Sequence, residues 1–127
     1  MKIYNIEMLA GHKVMVILGR HEHVLSVAKH LGSTVYLRPE SDDYFMDYPM
    51  IADLLNDMIS THDTPVVITT QSSEFLDVLL SSKMDFIVAT VRKTIAENDD
   101  NEVYRLRVLS KEEARSSRED YCINLRV

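Results

Sequence analysis

Thr64-Pro65-Val66-Val67-Ile68-Thr69-Thr70-Gln71-Ser72-Ser73-Glu74-Phe75-Leu76-Asp77-Val78-Leu79-Leu80 is the stretch whose reading decides the fold. Val66 to Thr70 is a short β-branched run that follows a proline. It lacks the polar alternation of a half-wet strand, so it reads as a strand buried on both faces. Ser72 or Ser73 is a natural helix N-cap, and Glu74 in the first turn complements the helix dipole. Phe75, Leu76, Leu79 and Leu80 recur three and four apart and make one apolar stripe. A buried strand feeding an amphipathic helix is the building unit of an α/β domain.

The same unit recurs towards the N-terminus. Val14 to Leu18 is a continuous apolar run ending at Gly19, and Val24, Leu25, Val27, Ala28 and Leu31 follow at helical spacing, with Gly32 as C-cap. Thr34 to Leu37 is a further short strand, then a polar turn, Arg38 to Asp43. Pro49 suits a first helical turn, and Ile51, Leu54, Leu55, Met58 and Ile59 form its stripe. Lys2 to Glu7 reads as a short edge strand, and Gly11-His12 as a turn. Successive strand–helix units need crossover connections, which favour a parallel sheet covered by helices.

The C-terminal part differs. Asp85–Val91 and Glu102–Val108 are two strands joined by an acidic loop, Ala96 to Asn101. The second alternates apolar and basic residues, which predicts one wet face. Ser110 with Glu113 three residues on is a capping box opening a short final helix. The expected fold is therefore a single α/β domain, 1–127, of three layers with a mainly parallel sheet. Residues 1–83 supply the βα units, and 84–127 supply a β-hairpin plus a short helix.

Composition bounds what such a domain does. With 46% hydrophobic and 27% charged residues in 127, the chain can fold around one core without staples or metal. The net charge of −6 argues against a stand-alone nucleic-acid grip, which needs clustered positive charge. Arg105, Arg107, Arg115, Arg118 and Arg126 gather near the C-terminus, where Glu112, Glu113, Glu119 and Asp120 balance them into a solvated face. Cys122 is the one cysteine, so an intrachain disulfide is excluded; a reducing compartment fits, and the thiol reads as a small apolar packing group. Met1 to Lys13 lacks a signal-peptide pattern, and no apolar run approaches the roughly 20 residues that span a bilayer. A cytoplasmic protein without membrane contact is expected.

Thr69-Thr70-Gln71-Ser72-Ser73-Glu74-Phe75-Leu76 resembles the Thr-Thr-His-Ser-x-Glu-Phe-Leu segment of ABC-type ATPases, particularly the SMC-like and OLD-like group. That resemblance implies a P-loop NTPase-like fold. In the family the histidine contacts the ATP γ-phosphate; Gln71 stands here, and an amide carries neither its charge nor its proton. Val35 to Ser41 occupies the slot of the family's Asp-Glu-Pro-Glu strand end. Pro39 and Glu40 match, but Leu37 and Arg38 replace the Mg²⁺-organising and water-polarising acids. Gly19-Arg20-His21-Glu22-His23-Val24-Leu25-Ser26 takes the phosphate-loop slot, with Gly19 and Ser26 in the first and eighth places and Val24 and Leu25 replacing glycine and lysine. The span from Ser26 to Thr34 leaves no room for the family's long insertion with its signature motif.

The resemblance thus implies a degenerate nucleotide site at Gly19, Arg20, Ser26, Glu40 and Gln71. It implies no catalytic residue, no resident metal, and ATP with Mg²⁺ as the ligand of the ancestral site. The expected function is a non-catalytic binding or regulatory module. It would pair with itself or a larger protein through its hairpin or an exposed sheet edge, retaining at most weak nucleotide or phosphate binding at the helix N-terminus beside Arg20. Two other readings stay open. One is a working ATP or phosphate-ester hydrolase on Glu40, Asp42 and Asp43, with His21 and His23; these acids, with Asp47, read equally as a solvated turn. The other is a nucleic-acid accessory acting through Arg105 and Arg107. A metal site on His21, His23 and His30 or His12 competes with a plain exposed loop.

Overall fold

The computed structural model describes residues 2–32, 35–37, 53, 56–57, 59–61, 65–70, 73–95 and 102–121. Six strands form one sheet: β1 (Lys2–Tyr4), β2 (Val14–Leu18), β3 (Val35–Leu37), β4 (Val66–Ile68), β5 (Ile87–Ile95) and β6 (Glu102–Ser110). Their order across the sheet is β1-β6-β5-β2-β4-β3. β5, β2, β4 and β3 run parallel, β6 is antiparallel to β5, and β1 is parallel to β6 at the edge. The mainly parallel sheet and the C-terminal hairpin thus form as the residue pattern predicts; the N-terminal edge strand stops at Tyr4, because Asn5 turns left-handed and Ile6–Leu9 forms a 3-10 helix where the pattern carries the strand to Glu7.

Helix α1 (His21–His30) lies on one face; α2 (Ser73–Ser81) and α3 (Lys111–Tyr121) lie on the other. Alternation along the strands divides the core between these faces. Met15, Ile17, Val67, Ala89, Val91, Tyr104 and Leu106 pack against Val24, Val27 and Ala28 of α1. Val14, Val16, Leu18, Val66, Ile68 and Val88 pack against Phe75, Leu76, Leu79 and Leu80 of α2 and Ala114 of α3. All five residues of β2 are buried, as a strand covered on both faces requires. Asp53, Asn56, Asp57, Ile59 and Ser60 are helical, in the stretch where the Ile51–Ile59 stripe predicts a helix. Pro49, the Arg38–Asp43 turn, the 96–101 loop and Cys122 lie outside the described residues. Among those described, no helix is long and apolar enough to cross a membrane.

Other strand boundaries also differ from the residue pattern: β5 begins at Ile87 rather than Asp85, and β6 runs on to Ser110. β5 continues beyond Val91 to Ile95, because the ladder to β6 satisfies its backbone while Arg92 and Lys93 reach solvent. β4 pairs only through Ile68, where its register with β2 and β3 ends, and Thr69 and Thr70 continue unladdered but buried.

The capping box is formed in full. Glu113 N–H donates to Ser110 Oγ at 3.0 Å, and Ser110 N–H donates to Glu113 Oε1 at 3.1 Å. Each side chain satisfies a donor that the first helical turn would leave free. Ser110→Ala removes one of these acceptors, with an expected cost of about 1 kcal/mol in urea unfolding. An unchanged unfolding midpoint would show that the cap contributes nothing.

Candidate functional site

In open parallel sheets ligands sit outside the carboxyl ends of the strands, and Gly19 and Arg20 of the degenerate nucleotide slot fall at that end, after β2. Only Gly19 and Arg20 separate β2 from α1, whose first residue is His21. The eight-residue span Gly19–Ser26 is therefore mostly helix rather than loop. Ser26 lies in the second turn, where its Oγ donates to the Glu22 carbonyl at 3.0 Å. Arg20 is the exposed N-cap residue, with extended backbone and no side-chain cap bond. Glu40 and Gln71 lie outside the described residues, as do Asp42, Asp43 and Asp47.

Gly19 has a packing role. Its φ is +148°, and a Cβ there would stand 2.7 Å from Val91 Cγ1 and 2.9 Å from the Val91 carbonyl oxygen. Leu18 pairs with Thr90, so Gly19 comes directly against Val91 of the neighbouring strand. The glycine lets β2 leave the sheet without colliding with β5.

The N-terminus of α1 is partly answered from within. The Glu22 carboxylate accepts a hydrogen bond from its own backbone N–H, which holds its pKa below the usual carboxylate range; this outweighs the small opposing effect of burial, and His23, Arg20 and His21 add to the lowering. A carboxylate on the free N–H groups of a first turn occupies the position an external anion would seek.

The histidines do not converge. His12 precedes β2 and His21 follows it, so a strand roughly 16 Å long separates them. His30 closes α1, roughly 14 Å along the axis from His21. The His23 ring packs edge-on against Tyr104, with centroids 5.5 Å apart. Among the described residues no three His, Cys, Asp or Glu side chains gather as a metal site.

Behind the slot lie the threonines that end β4. Thr69 is 2% exposed, and its Oγ1 has no hydrogen-bond partner, the only such buried side-chain atom among the described residues. It follows Val67 on the α1 face of the sheet. A buried hydroxyl without a partner costs roughly 1–3 kcal/mol. Thr69→Val keeps the shape and removes that cost, so a gain of about 1 kcal/mol is expected on chemical unfolding. A loss of stability would mean that the hydroxyl has a partner after all.

A concavity of about 520 Å³ sits at the opposite end of the sheet, among His12, Lys13, Ile59, Asp85, Phe86 and Lys111. Lys111 Nζ donates to the carbonyls of Ser82 and Met84 at 2.5 Å each and lies 5.1 Å from the Phe86 ring centroid. Burial pushes the Lys111 ammonium below its ordinary pKa, and Asp85 partly restores it. The carbonyl bonds tie α3 to the turn before β5, which makes Lys111 a structural tether. Its neighbours come from four separated parts of the chain, so no local pattern announces this cleft.

No protein-family model, curated protein or solved structure matches this chain.

Proposed function

We propose that the chain is a degenerate, miniature ABC-type ATPase-like domain that works as a non-catalytic binding or regulatory module. The observation that carries this reading is the two-residue turn between β2 and α1, in the slot where the family cradles phosphate. A phosphate cradle needs a run of free backbone N–H groups around the anion. Here Gly19 is packed on Val91, the helix begins at His21, and the Glu22 carboxylate caps its own N–H. The replacements at Leu37, Arg38 and Gln71 support the same reading from chemistry, since Leu37 and Arg38 offer no carboxylate to organise Mg²⁺ or polarise water and Gln71 lacks the imidazole's charge and proton.

A module of this kind acts through its surfaces, and among the described residues the exposed side of the hairpin and the β1 edge are open to a partner. The test is a thermal-shift and hydrolysis measurement with ATP, GTP and Mg²⁺. The expected results are an unchanged melting temperature and no phosphate release; saturation at 100 times Kd would instead stabilise the fold by about 2.7 kcal/mol. Hydrolysis that disappears on Glu40→Gln or Gln71→Ala would overturn the reading in favour of the hydrolase.

A further inference from the structure

The face of the sheet that carries α2 and α3 also carries a cluster of exposed cations. The register aligns Lys2 with Val103 and Thr94, Tyr4 with Arg105 and Arg92, and Arg107 with Thr90. Lys2, Arg92, Arg105 and Arg107 are exposed, and no ion pair engages them among the described residues. Arg92 and Arg105 stand directly opposite each other, an arrangement that destabilises a strand pair. Lys2 Nζ and Arg105 Cζ lie over the Tyr4 ring, 4.6 and 4.4 Å from its centroid. In a chain of net charge −6, this face has a local field of opposite sign to the whole. Beside it runs β1, the sheet edge, whose outer side pairs with no strand among the described residues.

We propose that this face docks an extended acidic segment of another protein, laid along β1 with its carboxylates on Arg92, Arg105, Arg107 and Lys2. The proposal rests on the binding-module reading and names the partner's chemistry. Alternate side chains of an extended chain recur every 6.7 Å or so, which is the spacing of Arg105 and Arg107 along β6. Carboxylates at that interval meet the cations in register and relieve the Arg92–Arg105 repulsion. An open edge also offers main-chain hydrogen bonds to an extended peptide. Nucleic acid fits less well: the overall negative charge repels a long polyanion, and cations already cover the Tyr4 ring that would stack a base.

The experiment titrates the full chain against a fluorescein-labelled peptide of alternating Glu and Thr, its Gln-for-Glu counterpart, and single-stranded and duplex oligonucleotides. Anisotropy is read at low and moderate salt. The Glu peptide is expected to bind and to weaken with salt, while the Gln peptide does not bind. The double substitution Arg92→Ser with Arg105→Ser weakens binding roughly tenfold, whereas Lys29→Ser, on α1, leaves it unchanged. Thermal unfolding of the double variant at or above the parent's temperature separates lost binding from lost fold. Absent peptide binding, equal binding of the Gln peptide, indifference to the double substitution, or tighter binding of an oligonucleotide would each overturn the proposal. Nucleotide turnover is read separately, so failure here is distinguishable from failure of the non-catalytic reading.

Discussion

Phe75→Ala lowers stability by about 3–5 kcal/mol and the melting temperature by roughly 10–20 °C. Phe75 is fully buried on the α2 face, in contact with the core residues of β2, β4 and β5. Truncation removes the transfer energy of the ring and leaves a cavity that strands on one side and helices on the other cannot collapse to fill. Domains of this size are stable by only about 5–15 kcal/mol, so the change is a large fraction of the total. Phe75→Leu should recover much of the loss, because it restores most of the volume. Urea unfolding of both variants is the measurement. A Phe75→Ala cost below about 1 kcal/mol would mean that α2 does not close this core.

The second large effect is expected at the turn between β2 and α1. Gly19→Ala should cost about 3 kcal/mol, or roughly 10 °C in melting temperature. Two penalties combine: a side chain at φ +148°, and a Cβ brought within 2.9 Å of the Val91 carbonyl oxygen. Val91→Ala in the same chain clears the Cγ1 contact but leaves the carbonyl, so the double variant is expected to stay well below the parent. Full rescue would show that the obstacle is the Val91 side chain alone. The prediction bears on function, because a glycine kept for a phosphate would tolerate alanine without loss of fold.

Much of the architecture is legible in the chain because it is a local, periodic property. The unbroken run Val14–Leu18 marks a strand covered twice, the Phe75–Leu80 stripe marks a helix with one buried side, and Ser110 with Glu113 marks a helix start to the residue. The alternation Val103-Tyr104-Arg105-Leu106-Arg107 foretells a strand with one wet face, and Arg105 and Arg107 are exposed while Tyr104 and Leu106 are buried. The candidate slot was legible as a set of positions, Gly19, Arg20 and Ser26 among them. Its shape was not, because an eight-residue motif spacing does not reveal that the helix begins at the third place.

The sequence by itself determines most of the elements, the buried faces of β2, α1 and α2, and the parallel character of the βα units, since each follows from neighbours within a turn or a strand. Only the tertiary structure decides which strands lie side by side. Asn5 Nδ2 donates to the Leu106 carbonyl across a sequence separation of 101 residues, and that docking sets Tyr4 beside Arg105. Hairpin register sets Arg92 against Arg105, and the crossover brings Gly19 onto Val91. Such pairings depend on how whole layers pack, and no local period in the chain encodes them.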